Sequence, residues 1–207
     1  MVEPPAAVRG RPPSTTRGAI ADVAIELFVR DGFESTTVDA VARAAGIRRR
    51  TVFRYFPSKN DLVWGEFSLH LDRFRLALEA TPRDLPVMVC VRAAVLEFND
   101  WGADEDVLRA RMTLITTVPA LQAHSTLRYA EWRRVVAEFT AARVGVDPDD
   151  HGPETVGHIA LGIALAAYRC WVDAGGELLA LIDRGFALAS AGCADEMLGA
   201  RVFRGSR

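Results

Sequence analysis

Residues 37–59 read TVDAVARAAGIRRRTVFRYFPSK, and this stretch decides the fold. Val38, Val41, Ala42 and Ala45 fall on one side of a short helix. Thr37 precedes them with a hydroxyl that can cap free N–H groups, and Asp39 sits favourably near the positive helix end. Ala45-Gly46 lets the chain reverse, and Ile47 is placed to plug the core beneath the turn. A second short helix is expected from about Arg49 to Tyr55, stopped by Phe56-Pro57. Two short helices joined by such a turn have helix-turn-helix spacing. Val52 and Phe56 would hold the second helix inward, so its other side carries Arg48, Arg49, Arg50, Thr51 and Arg54 outward.

The N-terminal end of that second helix would enter a DNA major groove, where arginine forks meet guanine O6 and N7. Tyr55 and Lys59 are placed at its end and in the next turn to bind flanking phosphates. Lys59 also opens the following helix, whose free N–H groups favour an anion. Thr37 completes the expected set of DNA contacts. An arginine cluster on a short helix is usually a solvated face. Here it coincides with turn chemistry, flanking helices and a charge-free counterside.

Working outward, the rest of the chain reads as helical. Residues 1–14 are rich in Pro, Gly and Arg, lack apolar periodicity and are expected to form a flexible arm. Ile20, Val23, Ala24, Leu27 and Phe28 make one apolar stripe, with caps at Ser14, Thr15 and Thr16 and a stop at Gly32. Ser58 is expected to cap a long fourth helix, in which Leu62, Val63, Phe67, Leu71, Phe74 and Leu78 keep the helical period until Pro82. Further helices are expected over about 85–101, 104–117, 120–144, 153–174 and 177–191. No stretch alternates as a strand would. The fold class is all-α, with about nine helices. A DNA-binding domain is expected over 15–58, a ligand-binding and dimerisation domain over 59–194, and a tail over 195–207.

The formal charge of −2 hides a division. Residues 1–64 sum to +3 and residues 65–207 to −5. Between 40 and 60 stand Arg43, Arg48, Arg49, Arg50, Arg54 and Lys59, the chain's single lysine, without one acid. Such a patch suits a polyanion partner. Cys90, Cys170 and Cys193 are odd in number, widely spaced and set among apolar residues, which points to reduced, buried thiols in a cytoplasmic protein. The first residues hold no apolar signal-peptide run. The longest strongly apolar run, Ile159 to Ala167, is too short to cross a bilayer, so no membrane partner is expected. His70, His124, His151 and His158 fall in no metal or catalytic pattern, so no metal, cofactor or catalytic residue is expected.

These residues carry a family resemblance. The segment GFESTTVDAVARAAGIRRRTVFRYFPSKNDLVWGEF, starting at Gly32, resembles the DNA-binding region of TetR-type transcriptional repressors. The matching elements are F-x-x-T-T-V at Phe33 to Val38, A-x-x-A-G-I at Ala42 to Ile47 and T-V-F-x-Y-F-x-S-K at Thr51 to Lys59. Arg48 departs from the pattern, because the family often has a capping serine there; its side chain could meet phosphate instead. R-R-T-x-F-R-Y-F-P-S-K-N-D-x-x-W-G, together with V-P-A-L-Q-A-H-S-T-L-R-Y-A-x-W-R from Val118 to Arg133, is similar to the branch associated with mycofactocin gene clusters in actinobacteria.

The resemblance implies a ligand pocket in the middle of the chain and a dimer interface from the last two helices. Helix 153–174 is apolar on nearly every side, as a helix buried all round would be. Ile159, Ile163, Ala167 and Trp171 on it, with Leu178, Ile182 and Phe186 on the next helix, are the expected dimer contacts. A monomeric core helix is the other reading. A homodimer would place two recognition helices about one DNA turn apart on a palindromic operator, roughly 34–36 Å. Pocket candidates are Trp101, Met112, Ile115, Tyr129 and Trp132 as apolar lining, His124 as a polar group, and Arg109 and Arg128 near the mouth with Arg111 and Arg133. Each apolar one, taken singly, is more often plain core, and His124 more often a satisfied core histidine. The narrower branch implies a long-chain acyl-CoA effector.

The expected function is therefore a ligand-responsive, homodimeric DNA-binding repressor, with an activator or a repressor of an efflux or lipid operon as close variants. A helical small-molecule enzyme or carrier is the alternative of a different class. It lacks paired carboxylates, a nucleophile–base pair and a phosphate loop.

Overall fold

The computed structural model describes residues 16–100 and 105–194. Ten helices make up the described residues, and they fall into two compact units divided between Gly65 and Glu66. The expected arm at 1–14, the tail at 195–207 and the pocket candidate Trp101 lie outside the described residues.

The first unit holds α1 (Arg17–Asp31), α2 (Val38–Ala44), α3 (Arg49–Tyr55) and α4 (Lys59–Trp64). Thr16 caps α1 by accepting from the Ala19 N–H, and Gly32 ends it at φ +88°. Ile20, Ala21, Ala24, Ile25, Leu27 and Phe28 form its buried stripe. The link to α2 is pinned twice: Thr36 Oγ1 donates to Gly32 O at 2.8 Å, and Phe33 packs edge-on against Phe28 at 4.9 Å. Ser58 and Asp61 form a capping box at α4.

The second unit holds α5 (Phe67–Glu79), α6 (Val87–Phe98), α7 (Glu105–Thr117), α8 (Pro119–Val144), α9 (His151–Ala174) and α10 (Leu178–Ser190). α9 packs along α8 on one side and α10 on another, while α5 lies against α6 and α8. Phe74 of α5 stacks on Trp132 of α8 at 5.0 Å, and Phe98 of α6 meets both rings.

Three sequence expectations need correction. The long fourth helix is two helices, because Gly65 adopts φ +53° and breaks α4 from α5. The apolar period runs through this break undisturbed, so periodicity alone conceals it. α4 packs with α1, and the first compact unit ends at Gly65. Cys90 is buried, but Cys170, on the outward side of α9, and Cys193, beyond the end of α10, are exposed. Finally, α9 is not buried all round: Ile159 is 41% exposed, and Gly162 and Ala166 also face outward. By length and composition alone, α9 would suffice to cross a membrane. It packs against α8 and α10 and leaves one side exposed.

Candidate nucleic-acid interface

The turn between α2 and α3 is built by the backbone. Gly46, at φ +66°, donates its N–H to Arg43 O at 3.1 Å, and Ile47 donates to Ala42 O at 2.9 Å. These two bonds make a Schellman closure, which satisfies carbonyls that the end of α2 leaves open. Thr37 Oγ1 accepts from the Ala40 N–H at 3.1 Å, so its hydroxyl is engaged in capping α2. Ile47 is half-buried beneath the turn.

α3 starts without a side-chain cap, as Arg48 at its N-cap position predicts. Val52 and Phe56 are 1% exposed and fix the inner side. Arg48, Arg49, Arg50 and Arg54 are exposed, and Thr51 and Tyr55 are half-buried. The arginines are not equivalent. Arg49 Nη1 donates to Asp39 Oδ2 at 2.9 Å, and its guanidinium lies 5.3 Å from the Phe53 ring centre. The Arg54 guanidinium stacks 5.0 Å from the Tyr55 ring and reaches its hydroxyl at 3.4 Å. Arg48 and Arg50 have no such partner among the described residues.

Lys59 Nζ sits 4.2 Å from the Phe33 ring centre and donates to Glu34 O at 3.4 Å. Its ammonium is thus tethered to the α1–α2 link. Arg17 plays a related part at the other end of α4: its guanidinium lies over Phe56, and Nε donates to Gly65 O at 3.0 Å. Sequence reasoning missed Asp39 as the partner of Arg49, Phe53 as an exposed aromatic, and Arg17. The Arg49–Phe53 spacing of four residues was the one signal available for Phe53.

In the second unit the pocket candidates separate. Met112, Ile115 and Trp132 are buried core side chains. Arg109 donates to Trp171 O at 2.8 Å with its guanidinium 4.1 Å from that ring, tying α7 to α9. Arg128 pairs with Glu131 at 3.2 Å and lies 5.8 Å from the Phe67 ring centre. His124 and Tyr129 are half-buried, and burial holds the Tyr129 hydroxyl above the usual phenol range. Arg111, expected near a mouth, is buried. Tyr168 donates to Asn99 Oδ1 in the interior, and burial pushes its ionisation well above the ordinary value. Of the dimer candidates, Ala167, Trp171, Leu178, Ile182 and Phe186 are buried within the chain. Ile159 is exposed and Ile163 half-buried. Among the described residues no group of His, Cys, Asp and Glu could hold a metal ion.

Comparison with known proteins agrees with this organisation. The family described as bacterial regulatory proteins, tetR family, matches residues 20–63, and the MftR C-terminal domain matches residues 85–194. A Mycobacterium tuberculosis protein bearing the name mycofactocin biosynthesis transcriptional regulator MftR is 44% identical over 88% of this chain and 93% of its own. Among solved structures, Thermus thermophilus FadR, a TetR family repressor in complex with lauroyl-CoA, superposes with a TM-score of 0.58 at 19% identity, covering 93% of this chain and 100% of that one. FadR from Bacillus subtilis in complex with stearoyl-CoA gives 0.59 at 15% identity, covering 84% and 97%. At these identities the two structures show the fold. The chain belongs to the TetR family of DNA-binding transcriptional regulators, with an MftR-type C-terminal domain, and is not an enzyme.

Proposed function

We propose that this regulator is a homodimeric repressor that binds a palindromic operator in a mycofactocin gene cluster and releases it when an acyl-CoA-like effector occupies the second unit. The observation that carries DNA binding is the outward set Arg48, Arg49, Arg50 and Arg54 on a helix whose inner side is closed by Val52 and Phe56. Arg50 and Arg54 address base edges, and Tyr55 and Lys59 address phosphates. The mycofactocin assignment is supported by the name of the M. tuberculosis relative. The effector class is supported by the acyl-CoA ligands of the two FadR structures.

A dimer contact through the outward side of α9 suits the row Ile159, Gly162, Ala166 and Cys170, which is exposed in a single copy. Effector binding must favour the released conformation for any release to occur. Gel-shift titration with palindromes from upstream of the neighbouring genes tests the reading at low salt. Tight binding, weakened by added long-chain acyl-CoA, is the expected result. Failure to bind any of those palindromes would overturn the repressor assignment, and binding indifferent to acyl-CoA would overturn the effector.

A further inference from the structure

Phe53 is the large hydrophobic side chain that α3 leaves exposed, at 40%. Folding does not explain it. Val52 and Phe56 supply the inner side of the helix, while Phe53 stands on the side that carries the arginines. Arg49 lies one turn earlier, and its guanidinium covers the Phe53 ring at 5.3 Å while Asp39 holds Nη1 at 2.9 Å. Arg49 is thus fixed from two sides, by a ring and by a carboxylate. An ion pair this exposed, with both side chains more than half accessible, adds little stability, so its effect is positional. Arg49 retains Nε and Nη2 donors for an incoming acceptor.

We infer that Asp39, Arg49 and Phe53 act as one reader in the major groove, with Arg49 on a guanine and Phe53 on the 5-methyl group of a thymine in a neighbouring base pair. The inference rests on the DNA-binding reading above. The thymine methyl is the apolar feature of the major-groove edge, and an exposed aromatic side chain suits it. Contact between ring and guanidinium confines the two targets to neighbouring pairs, because stacked pairs rise by about 3.4 Å. Asp39 is a positioning residue: it touches no base and acts through Arg49.

The test replaces each thymine of the operator by deoxyuridine, which lacks only the methyl group. With the wild-type protein, one position per half-site should weaken binding about fourfold, the ratio expected for losing one buried methyl. Phe53→Ala should lose that sensitivity and leave the other positions unchanged. Asp39→Asn should lower the preference for guanine over adenine at the adjacent pair, with the salt dependence of binding unaltered. Operator binding with no uridine-sensitive position overturns this inference while the repressor reading stands. Sensitivity retained at the same position by Phe53→Ala also overturns it. Absence of operator binding overturns both readings.

Discussion

Arg48 occupies the N-cap of α3 with extended backbone, and its side chain makes no hydrogen bond to the helix. A hydroxyl there would satisfy one of the open N–H groups, worth about 1 kcal/mol. Arg48→Ser should therefore raise the unfolding free energy by roughly that amount in a urea titration. It should also weaken all DNA sequences alike and reduce the salt slope of binding by about one. A second residue carries a pH dependence. His70 on α5 is held below its ordinary value of 6.5, first by burial, then by the charges of Arg111 and Arg73, with Glu66 opposing. The folded chain takes this proton less readily than the unfolded chain does. Its contribution to stability is therefore present above 6.5 and is lost as pH falls from 6.5 toward the lower folded value. His70→Gln should flatten that loss. The check is the difference in urea midpoint between about pH 7.5 and pH 5.5, which should be larger for the wild type. Equal losses would remove His70 as the cause.

At the scale of elements, legibility follows how local each signal is. The helix-turn-helix was readable because Thr37, Gly46 and Pro57 act on their own neighbours: a cap, a positive φ and a missing N–H. The break at Gly65 was not readable, since Leu62, Val63, Phe67 and Leu71 keep one period across it. The Asp39–Arg49 pair spans ten residues and exists only once the turn has closed. Composition also could not tell which side of α9 the chain itself covers. Trp171 and Ala167 face inward, whereas Gly162 and Ala166 face outward, although all are apolar. Gly157 lies close against α8: a Cβ there would lie 3.1 Å from the Arg133 carbonyl oxygen and 3.4 Å from its Cβ. Replacing a helical glycine by alanine ordinarily stabilises by about 0.5–1 kcal/mol. Gly157→Ala should do the reverse, by about 1–3 kcal/mol, because a backbone atom of α8 must move. Gly152→Ala on the same helix meets nothing within 4 Å and serves as the control that should not destabilise. Thermal unfolding of the two variants side by side decides the sign.

For the whole molecule, the net charge of −2 is the sum of a basic first part and an acidic remainder, +3 and −5. The division places attraction for DNA in the unit that carries α3, and a single copy of so small a reader binds weakly. Two linked readers multiply that affinity, typically by a factor of about a hundred or more. Dimer formation is therefore the property on which operator affinity should depend, and it can be broken without touching the reader. Gly162 is exposed on α9, and a Cβ there meets nothing within 4 Å in the single chain. Gly162→Arg adds no clash inside one copy, yet it sets a long cation in the row of Ile159, Ala166 and Cys170, where a second copy would have to approach closely. Light scattering should read twice the 22.6 kDa chain mass for the wild type and the single mass for the variant, with unchanged helical circular dichroism. Operator affinity should fall by about a hundredfold in step with the loss of the dimer. A variant that remains a dimer would move the interface off this side of α9, and a monomer that still binds the full operator tightly would mean that one copy is enough to read it.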